Sequence, residues 1–280
     1  MKQILLLTDF SDNAWNAIYT ARKLYGGQPC HFIILNCYVP KLENVSGFKS
    51  SARSGVVVSG LKKTSEEGLK EVESELKRQA SDKQHTYTTI SSNEDLISQI
   101  VKLIPEYDLD LIVMGAKGAS ASSHIFMGSN TVAVIRKVRN CAVLSVPENF
   151  NFQSLKQVVF PTDYTHFCAK GKLRVLLEML RHWDSAIQVV HFGREFILSD
   201  AQKANKKVLE ERLEHYNCNH DRAEMAATLS ETITKYAEEK MADMICLVHY
   251  KHTFLEQLTQ EPAIKKVVFN TSIPLLVLPD

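Results

Sequence analysis

The chain contains two copies of one sequence pattern, and this repeat limits its possible folds more than any other feature. The segment 3–11, QILLLTDFS, resembles the segment 157–165, QVVFPTDYT. Two further pairs of segments also match, 108–114 with 241–247 and 141–147 with 273–279. A chain of 280 residues is long enough for two domains, each with its own core. We therefore predict two related domains, 1–150 and 151–280.

Within each copy, short apolar runs alternate with longer stretches of helical periodicity, as in βαβ units with right-handed crossovers. In the first copy we predict strands near 3–8, 31–38, 86–91, 109–114 and 141–146, and helices near 12–25, 60–80, 94–105 and 128–138. In the second copy we predict strands near 157–161, 186–192, 221–226, 243–248 and 273–278, with a central helix around 196–216. The predicted fold class is α/β, with two tandem, open, twisted, five-stranded, mostly parallel sheets and flanking helices.

The first copy is longer than the second between its second and fourth strands. We assign the additional residues to the segment 39–60, which contains five serines. A long loop of this composition is either a lid over a binding site or a disordered connection. Its length alone does not decide between the two.

Charge and composition exclude several classes of partner. The chain has 33 basic and 32 acidic residues, so it lacks the basic excess that nucleic acids and anionic membranes attract. No apolar stretch approaches the roughly 20 residues that span a bilayer, and the apolar run 4–7 is too short for a signal peptide. The six cysteines are scattered without a C-x-x-C pair, which is typical of reduced thiols. We expect a cytoplasmic protein with no nucleic-acid or membrane partner.

A glycine spacing in the first copy indicates a phosphate-binding loop. It reads Gly115-x2-Gly118-x9-Gly128-Ser129 and begins where the apolar run 111–114 ends. This order is a strand, a loop and the start of a helix. Glycine lets the backbone approach a ligand closely, and the free N–H groups at a helix start attract phosphate. The spacing therefore predicts a nucleotide site, although Gly115 and Gly118 would also suit a tight turn.

Two strand ends of the first copy should meet this loop. In an open parallel sheet, ligands bind beyond the carboxyl ends of the strands, where the strand order reverses. Asp9 ends the first predicted strand and Cys37 ends the second. A carboxylate suits a ribose hydroxyl or the adenine amino group, although Asp9 could instead cap the following helix. Lys117, inside the loop, is either a counter-charge for phosphate or a solvated surface residue.

The chain resembles the universal stress protein family in three features. These are Thr8-Asp9-Phe10-Ser11 before a helix, the turn Met114-Gly115-x-x-Gly118, and Gly128-Ser129 beyond it. The resemblance covers nearly the whole chain, and the repeat makes the chain similar to a tandem member. It implies an adenine nucleotide alpha hydrolase-like fold. It also implies an intramolecular pseudo-dimer, in which 273–278 pairs with 141–146, and leaves a further homodimer open.

The resemblance also implies a ligand and its contacts. In ATP-binding members of the family, the glycine loop holds ribose and phosphates, and the residues that end the first two strands hold the adenosine. By this resemblance the first copy would bind ATP, ADP or AMP, and Mg²⁺ commonly accompanies a triphosphate. The resemblance implies contacts to Asp9, the backbone at Cys37, Gly115, Gly118, Gly128, Ser129 and Asn130, and we add Met114 and Lys117, which border or lie within the glycine loop.

The second copy keeps an aspartate, Asp163, but lacks the glycine loop. The segment 248–251, VHYK, replaces the first two glycines, and Glu261 lies near the position of the third. Side chains at these positions would block a close approach of the backbone, and Glu256 and Glu261 would repel phosphate. We therefore expect the second copy to be a pseudo-dimer partner that does not bind ATP in the same way.

The sequence does not supply the groups that a metal site or a catalytic centre would need. His215, Cys218 and His220 offer three zinc ligands in a helix-to-strand turn, where a closed site needs four. Phosphoryl transfer needs metal-holding and base groups, and the chain has no P-loop. We therefore predict a nucleotide-binding stress-response or signalling module rather than an enzyme. The alternatives are a weak ATPase or phosphotransferase, a flavodoxin-like redox protein, and an interaction protein with a vestigial site.

Overall fold

The computed structural model describes residues 1–39, 51–78, 84–117, 127–192, 197–224, 228–249 and 272–279. The strands in this part of the chain are β1 (Lys2–Leu7), β2 (Cys30–Cys37), β3 (Thr86–Ser92), β4 (Leu111–Gly115), β5 (Ala142–Val146), β6 (Gln157–Thr162), β7 (Ala186–Phe192), β8 (Asn217–Ala223), β9 (Met244–Val248) and β10 (Leu275–Leu278). The helices are α1 (Asp12–Leu24), α2 (Ser51–Arg78), α3 (Leu96–Tyr107), α4 (Ser129–Lys137), α5 (Arg174–Trp183), α6 (Asp200–Leu213) and α7 (Leu229–Glu239). A short 3₁₀ helix, Lys170–Leu173, precedes α5.

The strands form one continuous sheet in the order β3-β2-β1-β4-β5-β10-β9-β6-β7-β8. Each copy contributes one half of this sheet, and all strand pairs within a half are parallel. The halves meet where β10 runs antiparallel to β5, with Leu275 opposite Ser145 and Val277 opposite Val143. The two predicted five-stranded sheets are therefore joined edge to edge in one α/β structure.

Helices cover both faces of the sheet, and this is why its inner strands are apolar on both sides. Residues of α1, α2, α5 and α6 belong to the core on one face, and residues of α3, α4 and α7 to the core on the other. In β1, Ile4 and Leu6 join the first core, whereas Leu5 and Leu7 join the second. Alternate residues of a strand point to opposite faces, so an unbroken apolar run suits a strand that is covered twice.

An aspartate before the fourth strand of each copy fixes the start of the first strand. Asp110 Oδ2 accepts a hydrogen bond from Gln3 N at 2.9 Å, and Asp243 Oδ2 accepts one from Gln157 N at 2.9 Å. The N–H group of each aspartate donates in return to the carbonyl of the same glutamine. The repeat therefore extends to individual hydrogen bonds.

Polar contacts between the copies surround Asp110. Arg174 of α5 donates from Nη1 to Asp110 Oδ1 at 2.5 Å, and Lys2 Nζ lies 2.6 Å from Glu178 Oε2. The indole N–H of Trp183 donates to the carbonyl of the last residue of α1 at 2.9 Å. These contacts join α1 and β1 of the first copy to α5 of the second.

The prediction of a loop over 39–60 is wrong for residues 51–60, which are helical. Helix α2 begins at Ser51 and has 28 residues, so the end of the predicted loop is helical. The segment 40–50 lies outside the described residues, and the hypothesis of a lid stays untested. Helix α6 of the second copy has 14 residues, so much of the additional length of the first copy is helix. Serine and glycine are weak helix formers, and the packing of later turns through Leu69 and Leu76 holds this helix.

Two elements of the second copy also differ from their predictions. Strand β8 occupies 217–223 rather than 221–226, and α6 occupies 200–213 within the predicted 196–216. Strand β8 is the outer strand of its half, and its sequence NCNHDRA is mostly polar. An outer strand need not be apolar on both faces, so hydrophobicity alone did not locate it.

Two findings bear on the expected surroundings of the protein. Among the described residues, no helix is both long and apolar enough to cross a membrane. All six cysteines are free thiols, and four of them are buried: Cys30, Cys141, Cys168 and Cys246.

Replacing Leu276 by alanine should destabilise both copies at once. Leu276 is fully buried in β10, which pairs with β5 of the first copy and with β9 of the second. Loss of its contacts and the resulting cavity should lower the free energy of unfolding by about 2–5 kcal/mol. In urea titrations, fluorescence of Trp15 and Trp183 should report one transition with a lower midpoint. The half-exposed Leu61→Ala in α2 is the control and should shift the midpoint far less. Two separate transitions would show that the copies unfold independently.

Candidate nucleotide site

Each copy makes the same turn after its first strand. In the first copy, Asp9 Oδ1 accepts hydrogen bonds from Ser11 N at 3.1 Å and from Ser11 Oγ at 2.5 Å. In the second copy, Asp163 Oδ1 accepts the same two bonds from Thr165, at 2.9 and 2.7 Å. The aromatic residue between them has a positive φ in both copies, 64° and 57°. The second copy lacks the glycine spacing, so this turn forms without it.

The hypothesis that Asp9 caps helix α1 is wrong. The N-cap is Ser11, whose side chain accepts a hydrogen bond from Ala14 N at 3.2 Å. The left-handed residue Phe10 separates Asp9 from the helix start. Asp9 is exposed just beyond the carboxyl end of β1, where one of its oxygens stabilises the turn.

Gly115, at the end of β4, lies directly against a buried asparagine of α1. Asn13 donates from Nδ2 to the carbonyl of Val146 at 3.0 Å, and its Oδ1 accepts from Lys117 N at 2.8 Å. A Cβ on Gly115 would lie 2.7 Å from Asn13 Oδ1. Glycine is therefore needed here for the approach of α1 to β4, even before a ligand is considered.

Helix α4 begins without a side-chain cap. Its N-cap, Gly128, has no side-chain oxygen that could accept a hydrogen bond from the first N–H groups. In contrast, side chains cap α1, α3, α6 and α7. The N–H group of Gly128 donates to the carbonyl of Ala116 at 2.7 Å, and Thr131 Oγ1 donates to the carbonyl of Gly115 at 3.0 Å. These two bonds hold the start of α4 against the end of β4.

The predicted residues surround one cavity of about 240 Å³ at the carboxyl ends of β1, β2 and β4. The strand order reverses here, because β1 lies between β2 and β4. Eight of the nine predicted residues line the cavity: Asp9, Cys37, Met114, Gly115, Lys117, Gly128, Ser129 and Asn130. The ninth, Gly118, lies outside the described residues.

The two sides of the cavity differ in polarity. The start of α4 and Lys117 supply polar groups on the β4 side, whereas Leu35 of β2 and Leu96 of α3 supply apolar side chains on the other. Neither these two leucines nor four further lining residues, Leu7, Thr8, Ala14 and Thr131, were predicted from the sequence. These six residues could have been proposed from the sequence, because they lie close to predicted site residues or at the start of a predicted helix.

The charges at the cavity are few. Among its described lining residues, Lys117 is the one cation and Asp9 the one carboxylate. Lys117 Nζ lies 3.3 Å from Oε2 of Glu148, which follows β5. Burial raises the pKa of the Cys37 thiol to about 11, and the acidic residues before α3 add to this shift. Cys37 is therefore neutral at pH 7.

Two asparagines of α1 connect the cavity to the segment between the copies, and neither was predicted from the sequence. Asn13 contacts the end of β5, as described above. Asn16 Nδ2 lies within hydrogen-bond distance of the carbonyls of Pro147 at 3.1 Å, Glu148 at 3.3 Å and Phe150 at 2.8 Å. Their spacing of three places both side chains on one face of the helix, which was the available signal.

A described cavity beside Asp163 in the second copy measures about 40 Å³, and Asn205 and Leu209 of α6 line part of it. Helix α6 packs on the same face of the sheet as α1 and α2, whereas α3 and α4, which line the cavity of the first copy, pack on the other face. Tyr164 stacks on His191, with ring centroids 5.4 Å apart. His249 is buried and replaces Ala116, and both residues donate a backbone N–H to the last strand of their copy. The later loop positions, including Tyr250, Lys251, Glu256 and Glu261, lie outside the described residues.

The potential zinc ligands of the second copy do not form a cluster in the part of the chain that the structure describes. Cys218 Sγ and His220 Nε2 lie 3.4 Å apart on β8, and His215 precedes that strand. The described residues contain no group of three or more His, Cys, Asp or Glu side chains able to hold a metal ion. The predicted helix-to-strand turn contains His215 alone, because β8 begins before Cys218.

The fold is that of an open α/β domain with a cavity where its strand order reverses. The chain belongs to the universal stress protein family, whose model matches residues 1–147. No curated protein matches the chain.

Several solved structures, including the following three, share the fold over the whole chain. A universal stress protein from Archaeoglobus fulgidus DSM 4304 has a TM-score of 0.68 at 18% identity, covering 99% of this chain and 98% of that one. A functionally unknown protein from Pseudomonas aeruginosa PAO1 has a TM-score of 0.59 at 11% identity, with coverage of 100% and 92%. The cytoplasmic domain of a prokaryotic cation chloride cotransporter has a TM-score of 0.54 at 9% identity, with coverage of 100% and 95%. At these identities the similarity establishes the fold alone.

Replacing Gly115 by alanine should destabilise the first copy. The new Cβ would force Asn13 away from its two hydrogen-bond partners, at a cost of about 1–3 kcal/mol in the free energy of unfolding. Gly60→Ala in α2 is a matched control, because its Cβ meets no atom within 4 Å. A helical glycine-to-alanine change should stabilise by about 0.5–1 kcal/mol. Urea unfolding should thus give opposite signs, and a Gly115→Ala chain as stable as the wild type would refute the packing argument.

His191 should make the protein less stable in mild acid. Burial lowers the pKa of His191, and the positive charge of Arg222 lowers it further. Below the ordinary histidine pKa of about 6.5, the unfolded chain binds a proton that the folded chain binds less readily, so the free energy of unfolding falls. His191→Asn, which installs the residue found at the equivalent position of β2, should reduce the difference in urea midpoint between pH 7.5 and pH 5.5. The exposed His215→Asn should leave that difference unchanged, and an equal effect of both would contradict the assignment.

Proposed function

We propose that this protein is a stress-response or signalling module that binds ATP or a related adenine nucleotide in the cavity of its first copy. The observation that carries the proposal is the convergence of four separate segments on one cavity. The ends of β1 and β2, the turn after β4 and the start of α4 all line it. We propose the residues that were predicted from the sequence as its binding residues.

The polar side of the cavity suits phosphate. The first N–H groups of α4 have no capping side chain, and both Ser129, which carries a hydroxyl, and Lys117, which carries an ammonium, line the cavity. The partial positive charge at a helix start contributes about 0.3–1 kcal/mol per nearby negative charge. Backbone donors, a hydroxyl and a cation are the groups that phosphate oxygens accept from.

The apolar side of the cavity suits a purine base. Leu35 and Leu96 would contact the base, and Asp9 would accept a hydrogen bond from the ribose or from the amino group. A volume of about 240 Å³ is slightly below the range of about 300–1,000 Å³ for small-molecule pockets. We therefore expect the cavity to hold the adenosine part, with the phosphates extending along the start of α4.

The number of carboxylates at the cavity favours nucleotide binding over nucleotide hydrolysis. Asp9 is the one carboxylate among the described lining residues, so these residues supply no pair of carboxylates for acid–base catalysis. It would also be the single charged protein ligand for a Mg²⁺ ion, which would depend mainly on phosphate oxygens and water. Such an ion would neutralise phosphate charge. A weak ATPase stays an alternative that phosphate release from purified protein would test.

The second copy would act as a built-in partner of the first. We propose domains 1–150 and 151–280, joined through β5 and β10 as an intramolecular pseudo-dimer. Because these strands pair within the chain, any homodimer would use another surface. A cytoplasmic location agrees with the free state of all six cysteines.

The nucleotide content of the purified protein tests the proposal directly. The native chain is denatured, and the released small molecules are separated and identified by mass spectrometry. We expect ATP, ADP or AMP at up to one molecule per chain, because one copy carries the glycine spacing. A protein that releases no nucleotide and binds none in calorimetry would refute the proposal, and release of a flavin would favour a redox protein.

Replacing Ser129 by aspartate should separate phosphate binding from folding. A carboxylate in the first turn of a helix is compatible with its dipole, so the fold should be retained. The same charge would repel phosphate, and we expect ATP affinity to fall by about tenfold or more, equivalent to about 1.4 kcal/mol. Ala201→Asp in the first turn of α6 is the matched control and should leave ATP binding unchanged. Equal ATP affinity of Ser129→Asp and wild type would argue against phosphate at α4.

A further inference from the structure

Both the backbone N–H and the side-chain ammonium of Lys117 have a partner within the protein. Its backbone N–H donates to Asn13 Oδ1 at 2.8 Å, which fixes the chain at the rim of the cavity. Its ammonium pairs with Glu148 Oε2 at 3.3 Å. The Lys117 side chain is 21% exposed and that of Glu148 is 50% exposed. The cation that lines the cavity is thus already paired with an anion from outside the cavity lining.

Glu148 belongs to the segment that connects β5 to β6, and its backbone is held independently of Lys117. Asn16 contacts three carbonyls of this segment, including that of Glu148 at 3.3 Å. Lys23 Nζ contacts the carbonyl of Phe152 at 3.1 Å further along the segment. A change of partner at Lys117 can therefore release the Glu148 carboxylate without moving the backbone that carries it.

We propose that Glu148 is a specificity-determining residue, which competes with the nucleotide's phosphate groups for the ammonium of Lys117. This inference rests on the proposed function, because it needs a phosphate in the cavity. The carboxylate and a phosphate are both anions that one ammonium pairs with at short distance. Ligands with more phosphate charge displace Glu148 more completely, and adenosine does not displace it.

The size of the effect follows from the exposure of the pair. Exposed ion pairs contribute little free energy, so replacing the Glu148 carboxylate by a phosphate at Lys117 changes the free energy only slightly. Removing the competitor should therefore tighten ATP binding by about two- to fivefold at low salt, the range that corresponds to one exposed pair. The gain should shrink as salt screens the charges.

Calorimetric titration of a double-mutant cycle tests this inference. The proteins are wild type, Glu148→Gln, Lys117→Gln and the double variant, each titrated with ATP, AMP and adenosine. We expect Glu148→Gln to bind ATP about two- to fivefold more tightly, AMP with a smaller gain, and adenosine unchanged. In the Lys117→Gln background, Glu148→Gln should have no effect. Glu106→Gln at the far end of α3 removes the same charge and should leave all affinities unchanged.

The outcomes separate this inference from the proposed function. A wild-type chain that binds neither ATP nor AMP would refute the proposed function and the competition with it. ATP binding with equal affinity in wild type and Glu148→Gln would refute the competition alone. A gain that persists in the Lys117→Gln background would show that Glu148 repels phosphate in general, and would also overturn it.

Discussion

The antiparallel pairing of β5 with β10 is the contact on which the two-copy architecture depends. Each strand would otherwise be the edge of a five-stranded sheet, with unpaired N–H and C=O groups along an apolar sequence. Their pairing places both at the centre of one ten-stranded sheet and leaves β3 and β8 as the outer strands. Both outer strands carry polar residues, which is how exposed edges avoid further pairing.

The repeat separates residues that hold the fold from residues that shape the cavity. The turn at Asp9 recurs at Asp163, and the strand-start contacts of Asp110 recur at Asp243. Recurrence in a copy without the glycine spacing shows that these aspartates have structural roles. The uncapped start of α4 and the cation Lys117 belong to the first copy, and they carry the argument for a phosphate ligand. Asp9 therefore supports the proposed site less strongly than its position in the motif suggested.

Strands β1, β2, β4 and β5 of the first copy could be predicted because burial on both faces makes them largely continuous apolar runs. The start of α2 could not, since its serines and glycine favour no helix by themselves and the helix depends on contacts of later turns. Eight lining residues of the cavity followed from a glycine spacing and two strand ends. Asn13 did not, because its partners Val146 and Lys117 are distant in sequence, and its spacing of three from Asn16 indicates a shared helix face but no partner.

The position of Glu148 ties the charge of the cavity to the connection between the copies. Asn16 fixes the backbone at Glu148. A phosphate that pairs with the Lys117 ammonium would therefore leave the Glu148 carboxylate without this partner, and the path of the chain would not change. The loaded and empty states would then differ at this point mainly by an uncompensated negative charge at a half-exposed position. A partner protein with a basic surface would bind the two states with different affinity. Salt would reduce this difference in affinity, since exposed charges are screened over about 10 Å at 0.1 M ionic strength. A signalling module built in this way could report nucleotide binding without rearranging its ten-stranded sheet.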